Sequence, residues 1–120
     1  MKKDVNYYLS VGLEPAYAAY FAAGRRQIVD VKPNPDFSLS LLFDNGERRR
    51  LDCTDFLKGE RFSVFRDYAR FRQVYLDDSH SICWDFDPNV DSDVVWNNKC
   101  DLCPDVCYVE SIPEGGASHA

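Results

Sequence analysis

The sequence predicts an α+β fold, in which a small mixed or antiparallel sheet is built from hairpins and short helices pack on it. Three observations support this class. An apolar segment with near-strict alternation leads into the turn signal Asn45-Gly46, and a second pair of apolar segments surrounds Asp78-Ser79. An alanine-rich stretch between Pro15 and Gly24 has the composition of a helix.

The N-terminal region contains one predicted helix, over residues 15–23. Pro15 suits the first helical position, and Gly24 suits the residue that follows the last turn. Residues 1–13 show no clear periodicity. The chain is therefore divided into three regions. Residues 1–26 are an N-terminal helical extension, residues 27–112 are a single α+β domain, and residues 113–120 are a flexible tail.

The first predicted strands lie on either side of a proline-rich turn. Residues 27–32 have the alternation of a strand, and the two prolines within residues 33–36 exclude regular pairing there. Residues 37–43 follow with near-strict alternation. One face of this strand is predicted to carry Phe37, Leu39, Leu41 and Phe43.

Asn45-Gly46 predicts a two-residue type I′ hairpin turn, followed by a return strand. In this register Arg48 lies opposite Phe43. Arg50 then lies opposite Leu41, so both arginines share the apolar face. Either a bulge shifts the register, or that face is only half buried. We favour the half-buried face, because an arginine can lay its alkyl chain on apolar surface and keep its head in water.

The second half of the chain predicts further short elements. A helix is expected near residues 62–73, because apolar residues recur there at helical spacing. Beyond this helix, residues 73–77 and 80–84 are predicted to form a strand pair, and residues 85–93 an acidic loop. A short strand is predicted at residues 94–96, and an irregular segment at residues 97–108.

The net charge of -6 is unevenly distributed along the chain. Residues 1–76 are mildly basic, whereas residues 77–110 contain nine acidic residues and a single base, Lys99. A polyanion such as nucleic acid would be repelled by this acidic third, and a basic partner would be attracted to it. The alternative interpretation is a solvated surface that aids solubility.

Targeting and redox features predict a cytoplasmic protein. Polar residues follow Met1 at once, where the apolar part of a signal peptide would stand. No apolar run approaches the roughly 20 residues needed to span a bilayer. Without export, the five cysteines are expected to be reduced thiols, and an odd number excludes full pairing within one chain.

Four segments match a family pattern in order and spacing: Asp30–Asp36, Leu42–Glu47, Phe62–Val74 and Trp96–Tyr108. Through them, residues 27–112 resemble the family called domain of unknown function 2442. The resemblance implies a small bacterial α+β domain without established activity. Its members occur alone, fused to a helix-turn-helix domain, or near small genes suggestive of toxin–antitoxin systems or mobile elements. It supplies no catalytic residues.

The sequence departs from the family pattern in three places. It has an added N-terminal segment, and extra acidic residues between Trp84 and Trp96. It also has Arg48 and Arg50 where the family usually places apolar residues. The remaining length leaves no room for a separate DNA-binding domain, which argues against a direct repressor.

The acidic stretch with its flanking tryptophans is the candidate partner-binding surface. Aromatic side chains beside carboxylates suit an anchor with a charged rim. The alternating carboxylates also suggest a calcium loop, but Val90 stands where that loop needs glycine and Trp96 where it needs glutamate. The predicted surface residues are Trp84, Asp85, Asp87, Asp91, Asp93 and Trp96.

A cysteine cluster is the candidate metal site. Cys100, Cys103 and Cys107 have part of the spacing that zinc requires, with Cys83 or His80 as a fourth ligand. The alternative is that these thiols are small buried hydrophobic groups. No nucleophile motif, phosphate-binding glycine loop or metalloprotease motif is present.

These observations predict a non-enzymatic, protein-binding regulatory or accessory module with no cofactor. Nucleic acid and membranes are not favoured as partners. One alternative is an acidic inhibitor of a nucleic-acid-binding defence protein or toxin. Another is a metal-dependent enzyme that uses the cysteine cluster. A third is a structural homodimer whose seam is the sheet face carrying Arg48 and Arg50.

Overall fold

Seven short strands form two antiparallel sheets in the computed structural model, which describes residues 4–114. The strands are β1 (Ile28–Pro33), β2 (Ser38–Phe43), β3 (Arg48–Asp52), β4 (Tyr75–Leu76), β5 (Ile82–Asp85), β6 (Lys99–Leu102) and β7 (Ile112–Pro113). The first sheet has the order β1-β2-β3-β7, and the second has the order β4-β5-β6. The predicted α+β class, with an antiparallel sheet and short helices, is confirmed.

Short helices surround these sheets. They are α1 (Val5–Ser10), α2 (Pro15–Ala23), α3 (Tyr68–Phe71), α4 (Pro104–Glu110) and three 3₁₀ helices (Phe56–Lys58, Glu60–Arg66 and Trp96–Asn98). The predicted helix over residues 15–23 is α2, which Gly24 follows with a φ of +105°. Among residues 4–114, no helix has the length and apolar character needed to cross a membrane.

Three hairpin loops share one geometry. In each, a three-residue loop is closed by a hydrogen bond from the N–H of the residue before it to the C=O of the residue after it. The third loop residue has a positive φ each time, at Phe37 (64°), Gly46 (85°) and His80 (62°). This is a type I turn followed by a left-handed residue, which suits the twist of the flanking strands.

The two-residue type I′ turn predicted at Asn45-Gly46 is wrong. Gly46 has a positive φ and Asn45 does not, so the loop contains three residues. The register of β2 with β3 consequently shifts by one residue and places Leu51 opposite Leu39. A register shift, the alternative to a half-buried arginine face, is therefore what occurs.

The arginines of β3 accordingly lie on the opposite faces of the sheet from those predicted. Arg48 and Arg50 are exposed, and Arg50 donates to the Ser38 hydroxyl at 3.0 Å. Arg49 takes the position opposite Leu41 on the core side. Its guanidinium lies 4.3 Å from the centroid of the Tyr108 ring. The favoured interpretation, with Arg48 and Arg50 beside the apolar face, is thus wrong, because the loop has one residue more than the type I′ turn allows.

The core contains residues from both sheets, from the first two 3₁₀ helices and from α3 and α4. Trp84 on β5 is completely buried within it, and its indole N–H donates to the Phe71 carbonyl at 2.8 Å. The ring centroids of Phe65 and Phe71 each lie 5.7 Å from that of Trp84. Burial of these aromatic side chains is a major source of stability in a chain of this size.

The helix predicted near residues 62–73 forms only in part. A 3₁₀ helix covers Glu60–Arg66, and the four-residue helix α3 covers Tyr68–Phe71. Asp67 separates them with an extended backbone, and its side chain accepts a hydrogen bond from the Ala69 N–H at 3.1 Å. This aspartate begins a new helix instead of continuing the first, as short polar residues tend to do.

Two predictions for the C-terminal region are wrong. Residues 94–96 do not form a strand, and residues 97–108 are not irregular, since they contain β6 and α4. In β6 the apolar position that packs into the core is Cys100, which behaves as a small hydrophobic residue. The helix α4 begins at Pro104, where a missing N–H has no cost.

The C-terminal boundary falls at β7, because Ile112 and Pro113 pair with β3. The Glu114 N–H also donates to the Arg48 carbonyl at 2.9 Å. The rest of the predicted flexible tail, residues 115–120, lies outside the described residues.

Candidate functional site

The acidic loop, residues 85–93, is built around the buried side chain of Asn98. The Asn98 Oδ1 accepts the Asp87 N–H at 2.9 Å. Its Nδ2 lies 3.0–3.1 Å from the carbonyls of Asp87 and Val90 and from the Ser92 hydroxyl. Asn98 is 8% exposed, so its amide is almost fully enclosed by the loop that it organises. A satisfied buried amide of this kind holds a loop in one conformation.

The loop carboxylates form local turns. Asp87 Oδ1 accepts the Asn89 N–H, and Asp91 Oδ1 accepts the Asp93 N–H, both at 2.9 Å. These side-chain-to-backbone bonds are the turns that aspartate typically forms. Within residues 4–114, Asp87, Asp91 and Asp93 make no ion pair. The loop therefore presents ordered negative charge that no base within the described chain neutralises.

Asp85 connects the loop to the second sheet. Its Oδ1 accepts hydrogen bonds from the Tyr75 hydroxyl at 2.7 Å and from the Ser92 hydroxyl at 2.6 Å. Burial and the bond to Asp85 raise the pKa of Tyr75, so its hydroxyl stays protonated. A shallow depression of about 560 Å³ lies here, lined by Tyr75, Asp85 and residues 88–93.

An arginine supports the base of the loop from α3. The Arg70 Nη2 donates to the carbonyls of Asp85 and Phe86, at 3.1 and 2.6 Å. The Phe86 ring also lies 4.8 Å from the exposed guanidinium of Arg61. The Arg70 Nε is buried and has no hydrogen-bond partner within residues 4–114. The loop thus starts from a backbone position held by a charged donor.

The two tryptophans that flank the loop lie in opposite environments. Trp96 is 83% exposed, and Val94 beside it is 77% exposed. Trp84 is 0% exposed and belongs to the core, so its predicted place in a partner-binding surface is corrected. Two large apolar side chains, Trp96 and Val94, are thus exposed on the C-terminal side of the acidic loop.

The outer face of the second sheet extends the acidic surface. Asp101 on β6 is exposed and lies opposite Cys83, with no ion pair within residues 4–114. Sequence reasoning missed Asp101 because the segment after Trp96 was interpreted as irregular. The alternation of polar and apolar residues from Lys99 to Leu102 is the signal that would have revealed the strand.

One ion pair lies on this outer face. Lys99 Nζ lies 2.9 Å from Asp77 Oδ2, and both side chains are partly buried. Burial alone would raise the pKa of Asp77, but hydrogen bonds from Lys99, from Cys83 and from the backbone of Ser79 and Ser81 lower it. The single base of the acidic third is therefore already paired.

The cysteines do not converge on one point. Cys100 and Cys107 are buried in the core, whereas Cys103 between them in sequence is exposed. Cys83 is buried on β5, and the His80 Nδ1 lies 3.1 Å from the Ile28 carbonyl. Among the described residues, no group of three or more His, Cys, Asp or Glu side chains is arranged to hold a metal ion. The alternative metal site at Cys100, Cys103 and Cys107 therefore has no geometric support.

Burial also makes most of these thiols unreactive. It raises the pKa of Cys53 and Cys83 to about 12 and that of Cys100 to about 11. The pKa of Cys107 is raised in the same way. Since the thiolate is the form that attacks electrophiles or binds metals, these four side chains serve as core packing.

The N-terminal helices cover a different side of the molecule. The Tyr20 hydroxyl donates to Asp105 Oδ1 at 2.6 Å, and Arg25 forms an ion pair with the same carboxylate at 2.7 Å. The Tyr20 ring also lies 5.1 Å from the Tyr108 ring. These contacts neutralise Asp105 on α4, whereas Asp87, Asp91, Asp93 and Asp101 have no such partner within residues 4–114.

The sheets coincide with a family match. Residues 28–113, from the first residue of β1 to the last of β7, match the family described as "Protein of unknown function (DUF2442)". The chain belongs to the DUF2442 family. The resemblance predicted from four sequence segments is confirmed. In this DUF2442 protein, α1 and α2 precede the matched region, and the acidic loop lies inside it. A search of curated proteins and a search of solved structures found no match.

Proposed function

We propose that this DUF2442 protein is a non-enzymatic regulatory or accessory module that binds a basic protein through Trp96 and the acidic loop. The observation that carries the proposal is the 83% exposed indole of Trp96 at the end of a loop held by Asn98. Tryptophan is among the residues that contribute most to protein interfaces when a partner buries them. An ordered loop also loses little conformational entropy on binding.

Charge selects the class of partner. Asp87, Asp91 and Asp93 lack ion pairs within residues 4–114, whereas Asp77 and Asp105 are already paired. A partner that places Lys or Arg side chains around an apolar pocket would contact both features of this surface. Exposed charges mainly speed association and are screened by salt. The affinity should therefore fall as the ionic strength rises.

A narrower second function is an acidic inhibitor that occupies the nucleic-acid groove of its target, a defence protein or toxin. The unpaired carboxylates of the acidic loop support this candidate, because such a groove carries bases that normally meet phosphates. In that case a polyanion such as heparin should compete with the protein for the target. A partner bound at another surface would be unaffected by the polyanion.

The thiols fit a cytoplasmic location. None of the five cysteines forms a disulfide. Cytoplasmic proteins keep such thiols reduced, whereas exported proteins tend to pair them.

Comparative capture tests the proposed function. The tagged wild-type chain, W96A and the triple variant D87N/D91N/D93N are used to capture proteins from an extract of the native cell. Proteins retained by the wild type are then purified, and their affinities are measured at rising salt concentration. We expect a basic protein whose affinity drops on the order of tenfold or more for W96A, as for an interface hot spot.

The matched control is D30N, which changes an exposed aspartate on β1, outside this surface. D30N should bind the captured protein as the wild type does. The proposal is wrong if every captured protein binds W96A and the triple variant as tightly as the wild type. An affinity that stays constant across salt concentrations would instead show that the acidic loop is not part of the interface.

A further inference from the structure

Three of the four outer strands of the sheets have protected edges. β1 ends at Pro33, which has no N–H, and its register with β2 is irregular between Ile28 and Asp30. β7 has two residues, one of them Pro113, and β4 also has two residues. Prolines, bulges and short length are among the devices by which proteins prevent a foreign strand from pairing with an edge; charged side chains are another.

β6 has neither a proline nor a bulge, and of its two charged residues Lys99 is paired with Asp77 and Asp101 is unpaired within residues 4–114. It has four residues, contains no proline, and pairs with β5 in an unbroken register. The strand is the last in the order β4-β5-β6, so one of its sides pairs with no strand within residues 4–114. Among the strand edges that the structure describes, β6 is therefore the one best suited to accept another strand.

The hydrogen-bond pattern shows which backbone groups point to that free side. The Phe86 N–H donates to the Asn98 carbonyl at 2.8 Å. In an antiparallel pair, alternate residues face the partner strand, so Cys100 and Leu102 bond to β5. The backbone groups of Lys99 and Asp101 consequently point away from β5.

Most of these outward groups are free. The Lys99 N–H donates to the Trp96 carbonyl, which closes the 3₁₀ helix before β6. The remaining outward groups are the Lys99 carbonyl and the N–H and carbonyl of Asp101. None of them forms a backbone hydrogen bond within residues 4–114. Asp101 itself is exposed.

The free edge is continuous with the surface proposed above. The 3₁₀ helix Trp96–Asn98 leads directly into β6, so the exposed indole lies at the start of the edge. The exposed carboxylate of Asp101 adds a charge of the same sign as the acidic loop. An extended segment along β6 would thus meet free backbone groups and the Asp101 carboxylate, and the exposed Trp96 lies three residues before the strand begins.

We propose that β6 binds an extended, lysine- or arginine-containing segment of another protein as an added antiparallel or parallel strand. This proposal rests on the proposed function and names its mode of recognition. Main-chain hydrogen bonds would supply affinity, and a basic side chain opposite Asp101 would supply selectivity. A second copy of this chain fits less well, because it would bring two acidic surfaces together.

The test uses a displayed library of short random linear peptides, selected on the full wild-type chain. Selected peptides are measured against D101P, D101A and W96A. Because the Asp101 N–H does not bond to β5, D101P removes a donor for the added strand and leaves the pairing of β5 with β6 intact. D101A keeps the N–H and removes the charge, so it is the matched control.

We expect selected peptides to be rich in Lys and Arg and to bind D101P on the order of tenfold more weakly than D101A. They should also slow hydrogen exchange of the Asp101 amide in the wild-type chain. If D101P fails to fold, as judged by circular dichroism, the exchange measurement on the wild type decides.

Two results would overturn strand addition and separate it from the proposed function. If the peptides lose affinity for W96A but bind D101P and D101A equally and leave the Asp101 amide unprotected, the binding surface stands and strand addition is wrong. If no selected peptide depends on Trp96 or Asp101, both proposals are wrong. A wild-type dimer that D101P abolishes, seen by light scattering, would identify a second copy as the occupant and overturn the basic partner.

Discussion

The side chain of Asn98 hydrogen-bonds both backbone groups of Asp87: its Oδ1 accepts the N–H at 2.9 Å, and its Nδ2 donates to the carbonyl at 3.0 Å. The Asn98 side chain thus pairs with the backbone of Asp87 just after β5 ends, as the backbone of a neighbouring strand would. The same amide also contacts the Val90 carbonyl at 3.1 Å. One buried side chain therefore converts the chain after β5 into an ordered acidic loop.

Removal of this amide should loosen the loop. We expect N98A to lower the free energy of unfolding by about 1–3 kcal/mol, because it leaves buried backbone groups unpaired. Hydrogen exchange should become faster at Asp87 and Val90. N97A is the matched control, since Asn97 is exposed and should have little effect. Equal unfolding curves for the two variants would contradict the role given to Asn98.

The two tryptophans should differ sharply in their effect on stability. W84A removes a fully buried indole and should cost about 3–5 kcal/mol of unfolding free energy. W96A removes an exposed indole and should change it by no more than about 0.5 kcal/mol. Urea unfolding followed by circular dichroism measures both. A large loss of stability in W96A would show that its indole packs against the folded chain.

The thiols should react unequally. Cys103 is exposed and the other four cysteines are buried. Burial holds the pKa of Cys53, Cys83, Cys100 and Cys107 above the usual range, so their thiolates are scarce at neutral pH. A thiol-specific reagent should therefore label one site in the native chain, and C103S should remove that labelling. Rapid labelling of native C103S would contradict the core placement.

The Asp77–Lys99 pair should make stability depend on acid pH. Hydrogen bonds, led by that from Lys99, lower the pKa of Asp77 below its value in the unfolded chain. The stabilisation is therefore fully present above the unfolded pKa of about 4 and is lost as the pH falls through the folded pKa.

Unfolding free energies measured from neutral to acid pH test this pair. D77N should be less stable at neutral pH and should show a smaller decline in stability below about pH 4 than the wild type. D78N changes the adjacent exposed aspartate and should keep the wild-type decline. An unchanged acid profile in D77N would exclude Asp77 as a source of the pH dependence.

The register of the second hairpin can be tested with neighbouring arginines. Arg49 contacts the Tyr108 ring and donates to the Ser111 carbonyl at 2.6 Å, whereas Arg48 is exposed. R49A should lower the free energy of unfolding by about 1–3 kcal/mol through loss of these contacts. R48A should change it by less than about 0.5 kcal/mol. A larger loss of unfolding free energy in R48A than in R49A would instead support the register of the two-residue loop.

Local sequence patterns predicted much of the architecture. Pro15 and Gly24 delimit α2, and the alternation around Leu39 and Leu41 places buried residues on one face of β2. These features depend on backbone geometry and near neighbours, which a short stretch of sequence contains. The concentration of acidic residues after residue 76 likewise needs no structure to be recognised.

Other features required the tertiary structure. Asn45-Gly46 is compatible with loops of two or three residues, and packing of Leu51 against the core selects the longer loop. β6 was missed because its buried position is a cysteine, and cysteines also suggest metal sites.

The sequence by itself determined the α+β class, the family and the acidic character of the C-terminal third. The tertiary structure decided that Trp84 is a core residue and Trp96 a surface residue, although both flank the same acidic stretch. The reason is long-range packing: the partners of Trp84 are Phe65 and Phe71, which are distant in sequence. Burial depends on such contacts between remote segments, and these contacts exist only once the chain has folded.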